Sequence, residues 1–178
     1  MENSVRTMNP DNISPELVRV TPHQKNSVIL HFSEAMHPES GRSASCYHSG
    51  ELGQPLYAVP VESFFDKVVL TLLQSFIENK DYIFTVTGLY DCTNNHIDPQ
   101  NAEAMYTVPV RPGPDEIVIN EILFNPFPGG VDFIELFNTS TSTFNLNQLI
   151  LGGMTDGKPD PAYIVSPESY LLFPGEYV

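Results

Sequence analysis

Side-chain oxygens crowd into the segment Asp91-Cys92-Thr93-Asn94-Asn95-His96-Ile97-Asp98. Hard oxygen donors at such close spacing are what a calcium ion takes, so Asp91 and Asp98 are candidate ligands. The segment lacks the glycine and the closing glutamate of a helix–loop–helix calcium loop. The same residues also suit an Asx-rich turn, in which Asn and Asp side chains bond their own backbone. A second acidic set, Glu121, Asp132 and Glu135, falls within or beside apolar runs. A buried carboxylate there needs a cation or hydrogen-bond donors. Those three could hold a metal, meet a partner's basic groups, or fix adjacent loops.

Covalent chemistry has few carriers. The histidines His23, His31, His37, His48 and His96 show no HExxH or H-x-H spacing, and no serine lies in a G-x-S-x-G turn. His31 alternates with strand residues and reads as solvent-facing. No enzymatic activity is expected, and no cofactor other than a candidate calcium ion. Cys46 and Cys92 lack zinc or redox spacing. Bridged, they would stabilise the fold by about 4 kcal/mol in the chain-entropy model; unbridged, they would pack as small apolar residues. Tyr47, Tyr57, Tyr90 and Phe127 are candidates for stacking on sugar rings, or else ordinary core and turn aromatics.

Charge excludes some partners. Eight basic residues face 22 acidic ones, a formal net charge of −14. Nucleic-acid binding needs cations to replace phosphate counterions, so no nucleic-acid partner is expected. Acidity of this kind serves solubility or divalent cations. No apolar run is long enough for a membrane span, so no membrane insertion is expected. Met1–Pro15 has no apolar signal core, and Tyr170–Val178 reads as a strand in which the sequence stops. That pattern is expected of an excised fragment.

The elements that must position these residues read as strands. Sixteen prolines fall mostly between short apolar runs, which disfavours long helices. Val28, Leu30 and Phe32 alternate, as do Tyr82, Phe84 and Val86. Leu17–Val20 and Tyr57–Val61 are further strands. In Glu62–Lys80 the apolar pairs recur every four residues, a helical stripe. The competing strand is Lys67–Leu73, with Val68, Leu70 and Leu72 inward; periodicity alone leaves the two level. Arg111-Pro-Gly-Pro reads as a stiff linker. Glu116–Phe124 is apolar on both faces and reads as a central strand. Val131–Phe137 returns as a hairpin after a six-residue connection. Leu146, Leu149 and Leu151 start a strand ended by Gly152-Gly153, and Asp156-Gly157 is a turn. Tyr163–Val165 and Tyr170–Phe173 complete the set.

Two resemblances follow. Leu17-Val-Arg-Val, Val28-Ile-Leu-His-Phe-Ser-Glu-Ala-Met and Tyr82-Ile-Phe-Thr-Val-Thr-Gly-Leu-Tyr-Asp-Cys-Thr-Asn-Asn-His-Ile resemble bacterial immunoglobulin-like domains of the surface-layer type. Asn94 stands where that family carries glycine. The resemblance implies a strand within Glu62–Lys80. Ile117-Val-Ile-Asn-Glu-Ile-Leu-Phe-Asn-Pro, Val131-Asp-Phe-Ile-Glu-Leu-Phe-Asn-Thr-Ser and Phe144-Asn-Leu-Asn-Gln-Leu-Ile-Leu resemble the bacterial lamin tail domain. That family also implies an immunoglobulin-like sandwich, here truncated, sometimes beside nuclease or phosphoesterase domains, and the tandem order resembles surface proteins of the Bacteroidetes type. Neither implies catalytic residues.

The expected organisation is all-β: two tandem immunoglobulin-like β-sandwiches, the second incomplete. Residues 1–14 form an N-terminal extension, 15–109 the first module, 110–115 a linker and 116–178 the lamin-tail-like part. The expected role is a non-catalytic structural or interaction module of a secreted or cell-surface bacterial protein, serving adhesion, spacing or presentation of neighbouring domains. The alternative is a carbohydrate- or calcium-binding accessory module of a secreted enzyme. Expected partners are a protein or a cell-surface polysaccharide, and unpaired sheet edges could self-associate.

Overall fold

Strand alternation governs the first part of the chain. The computed structural model describes residues 11–178, so residues 1–10 of the expected extension lie outside the described residues. Seven strands come first: β1 (Leu17–Gln24), β2 (Ser27–Phe32), β3 (Tyr47–Ser49), β4 (Tyr57–Pro60), β5 (Lys67–Thr71), β6 (Asp81–Val86) and β7 (Glu103–Thr107). They form a four-stranded sheet in the order β1-β2-β5-β4 and a three-stranded sheet in the order β3-β6-β7. Register carries the apolar positions across the first sheet: Leu30 meets Val20 on one side and Val68 on the other. Val28, Leu30, Val68, Leu70 and Leu72 are fully buried, as are Tyr82, Phe84 and Val86 from β6. Burying one such aliphatic side chain contributes about 1.5–3 kcal/mol.

Glu62–Lys80 contains the strand, not a helix. Val68, Leu70 and Leu72 are buried, whereas Phe64, Leu73 and Ile77 from the four-residue stripe are exposed. The backbone before β5 excludes a helix as well, since Ser63 and Phe65 both have positive φ (96° and 55°).

A five-residue helix, α1 (Pro38–Arg42), lies between β2 and β3. Proline opens it, and the His37 ring accepts a hydrogen bond from the Glu39 N–H. Gly41 is closely packed: a Cβ there would sit 3.0 Å from the Pro60 ring, which would have to give by a few tenths of an ångström. The Gly41 carbonyl accepts a hydrogen bond from the buried Tyr47 hydroxyl at 2.8 Å.

The chain divides into two compact units. The first holds residues up to Ser75 and Tyr82–Tyr106; the second holds Phe76–Asp81 and Thr107–Val178. Val110, at the start of the expected linker, pairs with Phe144 within the second unit. The second unit holds β8 (Ile117–Leu123), β9 (Phe133–Asn138), β10 (Phe144–Asn145), β11 (Ile150–Thr155), β12 (Lys158–Ile164) and β13 (Leu171–Leu172). They pair two by two as β8-β9, β10-β13 and β11-β12. Phe144, Leu146, Leu171, Leu172 and Leu136 are its buried apolar side chains, and Asn138 is buried with them. The Asn138 amide donates to the carbonyls of Ser142 and Leu172, and its oxygen accepts from Ser140, so its burial is compensated.

Several expectations in this unit change. β8 is not central: among the described strands it pairs with β9 alone, and Ile119 and Ile122 are half exposed. Its two apolar faces reflect cross-strand pairs, Val118 with Phe137 and Ile122 with Ile134. The hairpin connection runs from Phe124 to Asp132, longer than six residues, because the ladder closes only at Leu123–Phe133. Gly152-Gly153 does not end a strand but lies inside β11, where a Cβ on Gly152 would come within 2.1 Å of the Pro161 carbonyl oxygen. Asp156-Gly157 is the turn between β11 and β12, with both residues at positive φ. Tyr170–Val178 is not one strand: β13 ends at Leu172, a turn follows, and Tyr177 then pairs with Phe137 of β9. The protein is all-β, and no helix among the described residues is long and apolar enough to cross a membrane.

Candidate functional site

Three carboxylates converge at one end of the first unit. Oxygens of Asp11, Glu34 and Asp91 lie within 4.8 Å of one another. Glu34 comes from the Phe32-Ser-Glu-Ala-Met36 segment and Asp91 from the Tyr90–Ile97 turn, joined where Met36 pairs with Asp91. Asp11 arrives from the start of the described chain, where its carbonyl accepts a hydrogen bond from the Asn95 amide at 3.2 Å.

Asp91 is buried, and four donors meet it. Its Oδ1 accepts from the backbone N–H of Thr93 at 2.7 Å and of Asn95 at 2.8 Å. Its Oδ2 accepts from the Asn95 Nδ2 at 2.9 Å, and the Thr93 hydroxyl reaches both oxygens. Burial alone would raise its pKa, but the Asn95 and Thr93 hydrogen bonds outweigh burial and hold the carboxyl below its ordinary value. Glu34 moves the other way. Its pKa is raised by burial first, then by the charges of Asp91 and Asp11 and a hydrogen bond with Asp91. One carboxylate is thus fixed as an anion and its neighbour is drawn towards the neutral form. The Asp91 oxygens are committed to bracing the turn. Asn94 in that turn has φ 68°, a left-handed conformation that asparagine tolerates.

The other acidic candidates are also engaged in local bracing. Asp98 accepts from the Gln100 N–H at 3.0 Å and the Asn101 amide at 3.0 Å, capping a 3₁₀ turn. Asp132 accepts from the Asn125 N–H at 3.1 Å, across the mouth of the β8–β9 loop. Glu121 and Glu135 are direct cross-strand partners, and the Asn120 amide donates to Glu135. Among the described residues only Asp11, Glu34 and Asp91 form a cluster of three or more potential metal ligands, so neither Asp98 nor the set Glu121, Asp132 and Glu135 does so. Asp11 and Glu34 escape sequence reasoning. The signal that could have found Glu34 was its place in the strand-end motif of the first resemblance.

One further expectation is corrected, and two open alternatives are narrowed. His31 is buried, not solvent-facing, and its Nε2 lies 2.8 Å from the Thr21 hydroxyl. The Cys46–Cys92 bridge is not formed: Cys46 closes a 3₁₀ turn before β3, Cys92 is exposed on the Asp91 turn, and both are free thiols. Tyr47 is buried and cannot stack on a ligand. Tyr90 is half-buried between the rings of His37 at 5.1 Å and His96 at 5.9 Å. Tyr57 is exposed on β4, and Phe127 is 92% exposed in the second unit.

No family model matches the chain, and no curated protein does. Among solved structures, the N-terminal part of the bacterial S-layer protein SbsC aligns over 92% of this chain and 45% of its own, with 15% identity and a TM-score of 0.47. The S-layer protein rSbsC(31-844) aligns over 92% of this chain and 26% of its own, with 14% identity and a TM-score of 0.47. This chain therefore spans less than half the length of either. The likeness is one of general form, and nothing functional is carried over from it.

Proposed function

We propose that the chain is a non-catalytic structural or interaction module of a secreted or cell-surface bacterial protein. One observation carries this reading: the polar groups best suited to chemistry brace the fold itself. Asp91 holds the Thr93–Asn95 turn, Asp98 caps a 3₁₀ turn, Asp132 ties the β8–β9 loop, and His31 bonds to Thr21 across two strands. Such bracing positions loops rigidly without preparing a group for a substrate.

The first unit is read as immunoglobulin-like. What supports this is its strand order: β1-β2-β5-β4 over β3-β6-β7 follows the four-plus-three arrangement of a constant-type immunoglobulin sandwich. The second unit is read as lamin-tail-like, supported by the β8–β9 hairpin that carries its paired motifs. In this reading the first sandwich spaces and the second presents a contact surface. The test is a turnover screen of the purified chain against phosphodiester, glycoside, ester and peptide substrates, with and without calcium. The reading requires rates at background; reproducible turnover that follows the protein through purification would end it.

A further inference from the structure

β4 is apolar on both faces, although one of them lies in solvent. Ala58 and Pro60 are buried, while Tyr57 and Val59 point outward and are 66% and 56% exposed. The solvated face of an antiparallel sheet is ordinarily polar. Val61 and Phe64 continue the outward row, at 39% and 77% exposed. Between Leu56 and Phe64, Glu62 is the one charged residue. Val69 stands beside Val59 across the ladder, so the patch reaches onto β5. These side chains expose roughly 600 Å², at the top of the range for the largest apolar patch of a monomer, and patches of that size are often contact surfaces.

The edge of β4 is closed, so the face and not the backbone offers the contact. β5 pairs along one side of β4, and α1 packs against it as well. Pro60 has no N–H to give, and its ring packs on Gly41 of α1. The Phe64 end of the row is fixed. Ser63 and Phe65, on either side of it, have φ 96° and 55°. The Phe65 carbonyl accepts from the Met36 N–H at 3.0 Å, and the Asp66 carbonyl from the Phe32 N–H at 2.8 Å. Strained residues persist where their surroundings over-determine them, and a ring displayed on such a loop loses little freedom on contact.

The order along the row selects the occupant. It runs Tyr57, Val59, Val61, Phe64: a ring at each end and two valines between. In shape, that row reads the same in both directions. A two-fold axis through its middle sets Tyr57 of one copy against Phe64 of the other, and Val59 against Val61. An isologous interface requires self-complementarity of this kind. Two such rows together cover roughly 1,200 Å², where specific interfaces begin.

We propose that the chain forms a two-fold dimer through the outer face of β4, with the β4 row of a second copy lying antiparallel on it. Side chains of the two sheet faces interdigitate, as between the sheets of a sandwich. The inference goes beyond the module reading by giving the first unit a contact of its own.

The test is sedimentation equilibrium of the full chain, carried to about 1 mM. A dimer with a Kd of about 100 µM or tighter is expected. Added salt strengthens it, because salt screens the repulsion between two copies of net charge −14. Val59→Lys and Val61→Glu each weaken it by at least about tenfold; both side chains face solvent, and amide spectra of the variants check that the fold is kept. Mixed in equal amounts, V59K and V61E associate with each other, because the axis sets the new cation of one against the new carboxylate of the other. Phe127→Ser, at a 92% exposed position of the second unit, leaves the dimer unchanged. A chain that stays monomeric at about 1 mM would overturn the proposal. So would self-association that V59K leaves unchanged or that salt weakens, or a V59K and V61E mixture that does not associate. A monomer leaves the module reading standing, whereas measured turnover defeats that reading whatever the oligomeric state.

Discussion

Removing the Asp91 carboxylate by Asp91→Ala cuts four donors loose in one turn. The two backbone N–H bonds, at 2.7 and 2.8 Å, carry most of the effect because they set the turn's geometry. A hydrogen bond to a charged acceptor contributes about 1.5–3 kcal/mol, and both donors sit near solvent, so the lower figure applies and the pair loses about 3 kcal/mol. With a urea slope of about 2 kcal/mol/M, the midpoint falls by about 1.5 M. Urea unfolding followed by tyrosine fluorescence suits the test, because the chain has no tryptophan and five of its eight tyrosines lie in the first unit. Asp91→Asn should lose less, since it keeps one acceptor oxygen but turns an amide donor towards Asn95. The wild-type advantage also depends on pH. The Asp91 pKa is lowered on folding, so its contribution is present above the unfolded value and disappears as pH falls through the folded one. A shift below about 0.5 kcal/mol for Asp91→Ala, the size expected of an inert surface site, would refute the bracing role.

Glu34 gives the opposite sign. Its pKa is raised on folding, so its charged form costs stability above the folded value and that cost vanishes as pH falls through it. Glu34→Gln is therefore more stable than wild type at neutral pH, and the two converge in acid; thermal melts across the pH range should show that gap closing. Alkylation of the native, unreduced protein followed by mass measurement should find both Cys46 and Cys92 modified once the chain is unfolded without reductant.

The first unit was largely legible in the sequence because period-2 alternation reports burial directly. Val28, Leu30, Tyr82 and Phe84 needed only that rule. Val68, Leu70 and Leu72 obeyed it too, but the neighbouring Phe64, Leu73 and Ile77 imitated a helical stripe, and only the resemblance separated the two. His31 was misread because alternation assigns a face without saying whether that face is covered; the ring is buried and meets the Thr21 hydroxyl there. The Asp11, Glu34 and Asp91 cluster was hidden because segments far apart in sequence meet there, and spacing along the chain carries no record of such a meeting. β8 looked central because both its faces are apolar. The structure shows that cross-strand pairing with β9 can use that apolarity while no other described strand pairs with β8. Gly152-Gly153 looked like a stop signal, yet the close approach of the Pro161 carbonyl makes glycine a requirement of continued pairing.

Amide hydrogen exchange over the whole chain tests most directly the claim that the polar groups of the first unit brace its fold. Amides of β2, β5 and β6 should exchange only through global opening of the first unit, and the Thr93 and Asn95 amides that Asp91 accepts should be protected although their turn is near solvent. Thr93 and Asn95 amides that exchange at the rate of an unstructured loop would contradict the account.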